Sequence, residues 1–217
     1  MPKYRAVLFD FDGTLADSAP AIMASLQRMF QALNRPLLTD EQLRACVGPP
    51  IHQYFREILG FHENELDQAL AIYRGFFIEE AARTMRPFDG VIELLRDLKA
   101  QGVILAVATC KVQTVCVQQA EDMGFAPYLD IIGGAIPAEN LFEKADIIRY
   151  VLDRIPLPKE DAVMVGDRMY DLIGANEAGI AGIGVLHGGC GTREELEAYH
   201  PRHIAANVEE LRALLLS

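Results

Sequence analysis

The sequence has no excess of basic residues and no long apolar run, and each absence argues against a class of protein. Its 217 residues include 20 Lys and Arg against 31 Asp and Glu, which gives a formal net charge of −11. Binding to a nucleic-acid polymer requires a surplus of positive charge, whereas a small phosphorylated molecule needs only a local cationic cluster. Apolar runs such as residues 103–108 are far too short to cross a bilayer.

Cysteine pairing motifs are also missing. The four cysteines, Cys46, Cys110, Cys116 and Cys190, are scattered and form no CxxC. No secretory leader is apparent, because the first residues run directly into an apolar segment without a cleavage-site pattern. We therefore expect a cytoplasmic protein with free thiols, which functions as a monomer or a homodimer.

Short apolar runs alternate with helical patterns over most of the chain. Buried strands are predicted at residues 4–9, 103–108, 161–166 and 181–186, with a shorter one near 130. Helices are predicted at residues 89–101, 112–123, 143–154 and 169–178, and in the tail from about Asn207. This alternation predicts an α/β fold, a Rossmann-like parallel sheet with helices on both faces.

The stretch from residue 16 to residue 86 breaks the alternation. It contains no convincing strand, and its apolar residues recur at helical spacing in residues 22–33, 40–47 and 65–83. We therefore expect a core domain formed by residues 1–15 and 87–217, with a helical cap domain formed by residues 16–86. Hinges are expected near residues 16–18 and 86–87, where the chain passes between the two.

Acidic residues are concentrated at the carboxyl ends of the predicted strands. Asp10 and Asp12 follow the first strand, whereas Asp167 and Asp171 follow the third. Ligands of an open parallel sheet bind at this edge. Clustered carboxylates repel one another unless a cation or a proton intervenes, and Mg²⁺ prefers carboxylate ligands together with waters and a phosphate. The sequence therefore predicts a magnesium site, although any one of these acids alone would also suit an ordinary turn or helix cap.

Four further residues suit a phosphate ligand. Gly13 allows a tight turn after the acidic pair. The hydroxyl of Thr109, at the end of the second strand, is suited to phosphate or to an ordinary helix cap. Lys144 opens a predicted helix, where the helix dipole disfavours a cation, so its charge is expected to neutralise an anion. Lys111 is a second candidate for that task, and each lysine taken alone would also suit a solvent-exposed surface.

Four segments resemble, in order, the four motifs of the haloacid dehalogenase superfamily: DFDGTL, ATCK, EKADIIRYVL and VGDRMYDLIGA. The helical insert lies where that superfamily carries its helical type of cap. The segments GDRMYDLIGANEAGI and GVLHGGCGTREELE are most similar to the phosphoglycolate phosphatase-like branch, which also contains nucleotidases and pyrophosphatases. The resemblance implies a Mg²⁺-dependent phosphatase that hydrolyses a small phosphate monoester through an aspartyl-phosphate intermediate.

The resemblance also implies a role for each acid. Asp10 attacks phosphorus, and Asp12 carries the proton to and from the reacting oxygens. The metal is held by Asp10, by the backbone carbonyl of Asp12 and by Asp167. Asp171 holds a metal-bound water or orients Asp167.

The phosphoryl group is expected to contact Thr109, Lys144 and the backbone at Gly13 and Cys110. Cys110 departs from the family pattern, which often has Asn or Ser there. Its thiol raises the weaker hypothesis that activity is sensitive to oxidation.

The cap is expected to select the substrate. The loop Gly48-Pro49-Pro50 resembles the cap loop that faces the active site in relatives. Gly48 and His52 are candidate specificity residues, as is Arg44, which is suited to a substrate carboxylate or a second phosphate.

Several other activities use the same core. A phosphonate hydrolase needs a lysine in the cap, and no lysine occurs between Lys3 and Lys99. A dehalogenase would not need Asp12, and a P-type pump would need membrane helices. A non-catalytic phosphate-binding regulator is disfavoured because Asp10 and Asp12 are both present. A 5′-nucleotidase, a pyrophosphatase and a phosphosugar mutase remain open.

Overall fold

A computed structural model describes residues 3–49 and 51–217 of the chain. The strands are β1 (Ala6–Phe9), β2 (Ala16–Asp17), β3 (Arg86–Pro87), β4 (Ile104–Val112), β5 (Ile131–Ala135), β6 (Ala162–Gly166), β7 (Ala181–Val185) and β8 (His203–Ala205). The helices are α1 (Ala19–Ala32), α2 (Asp40–Ala45), α3 (Ile51–Glu57), α4 (Glu63–Thr84), α5 (Val91–Ala100), α6 (Gln113–Asp122), α7 (Lys144–Leu152), α8 (Met169–Ala178), α9 (Arg193–Glu197) and α10 (Val208–Leu216).

Six of the strands form one parallel sheet in the order β5-β4-β1-β6-β7-β8. The α/β fold is therefore confirmed. β1 lies inside the sheet. β4 and β5 follow it on one side, and β6, β7 and β8 follow it on the other. The crevice beside β1 is the switch point at which ligands of such sheets bind.

Alternating side chains of β1 pack on opposite faces of the sheet, as expected for a strand that is covered on both sides. Val7 and Phe9 belong to the cluster that includes buried residues of α5, α6 and α10. Ala6 and Leu8 belong to the cluster that includes α7 and α8. Helices therefore cover both faces, and the polar residues that follow β1 emerge at the carboxyl edge.

Residues 19–84 hold the first four helices, and α1 and α4 pack against each other. Buried residues of these four helices, among them Phe55 of α3 and Tyr73 of α4, belong to the same hydrophobic cluster as Val7 and Phe9. The expectation of no strand between residues 16 and 86 was wrong at its two ends. There β2 pairs with β3 antiparallel, Ala16 opposite Pro87, so the two connections to the sheet lie side by side. The division into two domains stays a prediction.

Several short elements were not predicted. They are α3, α9 and the edge strand β8, and each is seven residues or fewer, too short for periodicity to be distinctive. β4 also continues past the predicted end at residue 108, with irregular pairing to β5 between Ala108 and Val112. In the part of the chain that the structure describes, no helix has both the length and the apolar character needed to cross a membrane.

Candidate active site

Three buried carboxylates meet at the carboxyl edge of the sheet. Asp10 follows β1, and Asp167 follows β6. The two strands are parallel neighbours whose residues lie directly opposite one another. Asp171 lies in the first turn of α8, where its Oδ2 accepts a hydrogen bond from the backbone N–H of Arg168 at 3.0 Å. One oxygen from each of the three carboxylates lies within 4.8 Å of the others. The predicted convergence of these acids from distant parts of the sequence is therefore observed.

Lys144 supplies positive charge to this cluster. Its Nζ lies 2.8 Å from Oδ1 of Asp10 and 2.7 Å from Oδ1 of Asp171, and it donates to the carbonyl oxygen of Ala108 at 3.1 Å. Lys144 is the first residue of α7 and is buried. The expectation that this lysine neutralises an anion is met by two carboxylates of the protein itself.

Burial and mutual repulsion set the protonation of the cluster. Burial raises the pKa of Asp10 to about 6, against the opposing effect of Lys144 and with a further increase from Asp171. Burial and the charges of Asp171 and Asp10 hold the pKa of Asp167 well above its usual range. The neighbouring carboxylates keep the pKa of Lys144 high despite its burial. One lysine therefore offsets only part of the negative charge at this edge.

The turn after β1 holds Asp167 in place. Gly13 has φ of +83°, and a Cβ at that position would lie 2.3 Å from Oδ2 of Asp167. The Thr14 hydroxyl lies 3.5 Å from Oδ1 of Asp167, at the limit of a hydrogen bond. Oδ2 of Asp167 is buried and has no hydrogen-bond partner among the described residues. This oxygen is therefore free to bind a cation.

The donor set fits Mg²⁺. It consists of carboxylate oxygens, which are hard ligands, and they are buried with less positive charge than they need. Asp10, Asp167 and Asp171 are the residues that would hold the ion. When bound, it would supply the positive charge that these buried carboxylates lack.

Asp12 is not one of the three close carboxylates. Its Oδ1 lies 2.6 Å from Nζ of Lys111, and both side chains are largely buried. Lys111 also lies 5.0 Å from the ring centroid of Phe11 and 5.2 Å from that of Phe77. The side chain of Asp12 is thus held by a lysine, and the predicted use of its backbone carbonyl as a metal ligand stays a prediction.

The segment after Ala108 lies at the carboxyl edge of the sheet, as predicted. It continues β4, however, where the sequence predicted that the strand had ended. Thr109 is buried in the irregular stretch of β4, and its hydroxyl accepts a hydrogen bond from the N–H of Lys111 at 3.3 Å. It is not the cap of α6, which is preceded by Val112. Burial raises the pKa of Cys110 to about 12, which disfavours the thiolate form of this side chain. The oxidation sensitivity of the activity stays a prediction.

A glycine-rich loop behind the site was missed in the sequence. A Cβ at Gly188 would lie 2.3 Å from the carbonyl oxygen of Gly13, and one at Gly191 would lie 2.0 Å from that of Asp167. Nε2 of His187 donates to the carbonyl oxygen of Thr14 at 2.9 Å. The density of glycine after β7 was the available signal, because close backbone approach requires residues without a side chain.

Arg168 links the site to the helical segment and was also missed. It donates through Nη1 to the carbonyl oxygen of Val47 and through Nε to Glu195 at 2.9 Å. Gly48 accommodates this contact, since a Cβ there would lie 2.5 Å from Cγ of Arg168.

An apolar pocket of about 160 Å³ opens from Asp10 and Asp12 towards the helical segment. Its apolar wall includes Ile22, Ile51, Tyr54, Tyr73, Phe77 and Val115. We refer to this cavity as the apolar pocket.

Of the predicted specificity residues, Gly48 lines the apolar pocket. Arg44 is exposed and lies outside the lining, and its Nη1 is 3.4 Å from the carbonyl oxygen of Gly189. The side chain of His52 and all of Pro50 lie outside the described residues.

Comparisons with known proteins identify the family of this chain. The sequence profile of the family described as haloacid dehalogenase-like hydrolase matches residues 7–185. A 5′-nucleotidase of Pseudomonas aeruginosa is 36% identical over 99% of this chain and 97% of its own length. A tyrosine-protein kinase PtkA of Mycobacterium tuberculosis is 33% identical over 97% of this chain and 72% of its own.

A solved structure described as a predicted phosphatase from Clostridium acetobutylicum superposes with a TM-score of 0.90 at 36% identity, covering 97% of both chains. The fold, the order of the motifs and the family profile all agree. The chain therefore belongs to the haloacid dehalogenase-like hydrolase family and is a phosphatase of that family.

Proposed function

We propose that the protein is a Mg²⁺-dependent phosphatase that hydrolyses small phosphate monoesters through an aspartyl-phosphate on Asp10. The observation that carries this proposal is the buried Asp10 carboxylate, which is held by Lys144 beside Asp167 and opens onto the apolar pocket. A buried nucleophile fixed by a cation is oriented before the substrate arrives, which lowers the entropic part of the barrier.

The reaction has two steps. A carboxylate oxygen of Asp10 attacks phosphorus, the bond from phosphorus to the ester oxygen breaks, and Asp12 gives a proton to the departing oxygen. Water then attacks the phosphorus of the aspartyl-phosphate and gives a proton to Asp12, and Asp10 is released with inorganic phosphate. Lys144 stabilises negative charge on the phosphoryl oxygens, together with the hydroxyl of Thr109 and nearby backbone N–H groups at Gly13 and Cys110.

We also propose that residues 16–86 act as a cap over the core formed by residues 1–15 and 87–217. The adjacent strands β2 and β3 are suited to serve as the hinge, because both connections bend at one place. Closure of the cap would exclude water while phosphorus is attacked by Asp10. The contact of Arg168 with Val47 supports this role, since it joins the segment to the site loop.

A 5′-nucleotidase activity is the second candidate. It is favoured by the relative of that name, which is similar over nearly the whole of both chains. Both candidates use the same nucleophile and differ only in the leaving group.

The proposal is tested by measuring inorganic phosphate released from a panel of phosphate monoesters, with Mg²⁺ and with a chelator. We expect Mg²⁺-dependent turnover that falls by at least about 10³-fold in Asp10→Asn, because the nucleophile is removed. Asp153→Asn is the matched control, since this acid is exposed and lies outside the site. Equal turnover by Asp10→Asn and the wild type would overturn the proposal.

A further inference from the structure

The apolar pocket carries information about the leaving group. We infer that the natural substrate is the phosphate ester of a neutral alcohol that bears one flat apolar ring, such as an aromatic ring. The inference rests on the proposed phosphatase function, because it assigns the part of the substrate that departs from phosphorus. It follows from the size, the charge and the hydrogen-bonding capacity of the pocket.

The size of the pocket favours a leaving group no larger than one ring. The pocket holds about 160 Å³, and this space includes the end formed by Asp10 and Asp12, where the phosphoryl group belongs. An apolar cavity of about 150 Å³ accommodates one benzene molecule. The wall contains Tyr73 and Phe77, whose rings stack with centroids 5.8 Å apart and an interplanar angle of 20°. Such rings favour a flat partner.

Charge disfavours a leaving group that carries a carboxylate. Of the two cations that the described residues contribute to the lining, Lys111 is already paired with Asp12 at 2.6 Å. Arg74 is exposed, so its charge is hydrated. A carboxylate that entered the pocket would be buried against apolar walls without a buried cation of its own. A neutral group avoids that desolvation.

Hydrogen-bonding capacity disfavours a sugar. Tyr54 is buried in the pocket wall, and its hydroxyl has no hydrogen-bond partner among the described residues. Burial keeps the pKa of Tyr54 well above its usual range, so this hydroxyl remains a donor. It offers a partner to one polar atom of the leaving group. The several hydroxyls of a sugar would find too few partners among the aliphatic and aromatic side chains, and each unpartnered hydroxyl weakens binding.

The test compares esters of primary alcohols, so that the reactivity of the leaving oxygen is similar. The full chain with Mg²⁺ is assayed on benzyl phosphate, 2-phosphoglycolate, ribose 5-phosphate and adenosine 5′-monophosphate, and kcat/KM is measured for each. We expect benzyl phosphate to exceed each of the other three by at least about tenfold, which corresponds to burying roughly two methylene groups. Equal or higher kcat/KM for any of the other three would overturn the inference.

A change in side-chain size tests the pocket itself. Val115 and Val117 both lie on α6, and their side chains are similarly exposed, at 39% and 37%, but only Val115 belongs to the lining of this pocket. Val115→Trp should shift the ratio of kcat/KM values away from benzyl phosphate and towards the smaller 2-phosphoglycolate by about tenfold, since the larger side chain takes up space at the pocket. Val117→Trp should leave the ratio unchanged.

The outcomes separate the two proposals. If no ester is hydrolysed faster by the wild type than by Asp10→Asn, the phosphatase proposal fails and the leaving-group inference fails with it. If turnover depends on Asp10 but benzyl phosphate is not preferred, only the leaving-group inference is overturned. An unchanged ratio in Val115→Trp, or an equal shift in Val117→Trp, would overturn the assignment of the leaving group to this pocket.

Discussion

An alanine at position 13 would place a methyl group on the Asp167 carboxylate. The Cβ would lie 2.3 Å from Oδ2, 2.7 Å from Cγ and 2.8 Å from Oδ1 of Asp167. The ordinary separation of such atoms is about 3.5–4.0 Å. The carboxylate or the turn must therefore move by about 1 Å. Because Asp167 is part of the predicted metal site, Gly13→Ala tests whether the position of this carboxylate matters for the reaction.

The expected effect of Gly13→Ala has two parts, a loss of stability and a loss of rate. Gly13 has φ of +83°, where a residue with a side chain costs about 1–2 kcal/mol of stability. Displacement of a reacting group by about 1 Å costs about 10²-fold in rate. Gly124 separates the two parts, because its φ is +78° and a Cβ there would meet nothing within 4 Å. Gly124→Ala should lose similar stability and keep its activity.

The assay combines thermal unfolding with kcat/KM at saturating Mg²⁺. We expect both alanine variants to unfold at a lower Tm than the wild type, and only Gly13→Ala to lose about 10²-fold in kcat/KM. Activity of Gly13→Ala within threefold (an illustrative threshold of about 0.7 kcal/mol) of that of Gly124→Ala would refute the reasoning that Gly13 fixes Asp167 for the reaction.

Two further predictions concern the charges of the site. Lys144→Met should lower the free energy of unfolding by about 3–5 kcal/mol, because it leaves the buried Asp10 and Asp171 unpaired. Lys99→Met, which breaks the exposed pair with Asp130, should cost at most about 1 kcal/mol in chemical denaturation. The pKa of Asp10 is raised to about 6. The contribution of this carboxyl group to folding stability is therefore present below pH 3.8 and is lost as the pH rises through 6. Mg²⁺ should therefore raise the Tm more at pH 8 than at pH 5. A larger increase at pH 5 would contradict the cation site, whereas Asp10→Asn should reduce the difference between the two pH values.

The core of the fold could be predicted because its signals are local. Apolar runs such as residues 161–166 form strands close to where they were expected, since a strand covered on both faces is apolar along its length. The rule that ligands bind at the carboxyl edge then placed Asp10 and Asp167 together without any coordinates. Short elements such as β8 were missed because three residues carry too little pattern.

Partners of the side chains could not be predicted in the same way. Lys111 was a second candidate for the task given to Lys144, yet Lys144 pairs with Asp10 and Asp171, whereas Lys111 pairs with Asp12. Arg44 was expected to face a substrate but contacts a core loop. Such choices depend on distances between residues far apart along the chain, which the sheet order and helix packing set.

The sequence by itself determined the acidic edge of a parallel sheet, because strand patterns and the residues that follow them are adjacent in the chain. Only the tertiary structure decided how the charges are shared. It buries three carboxylates with one lysine, which leaves them short of positive charge. It also brings Tyr73 and Phe77 over the same edge, where the Tyr54 hydroxyl has no hydrogen-bond partner among the described residues. These residues come from helices that share no local pattern with the sheet, so their meeting depends on packing across the whole chain.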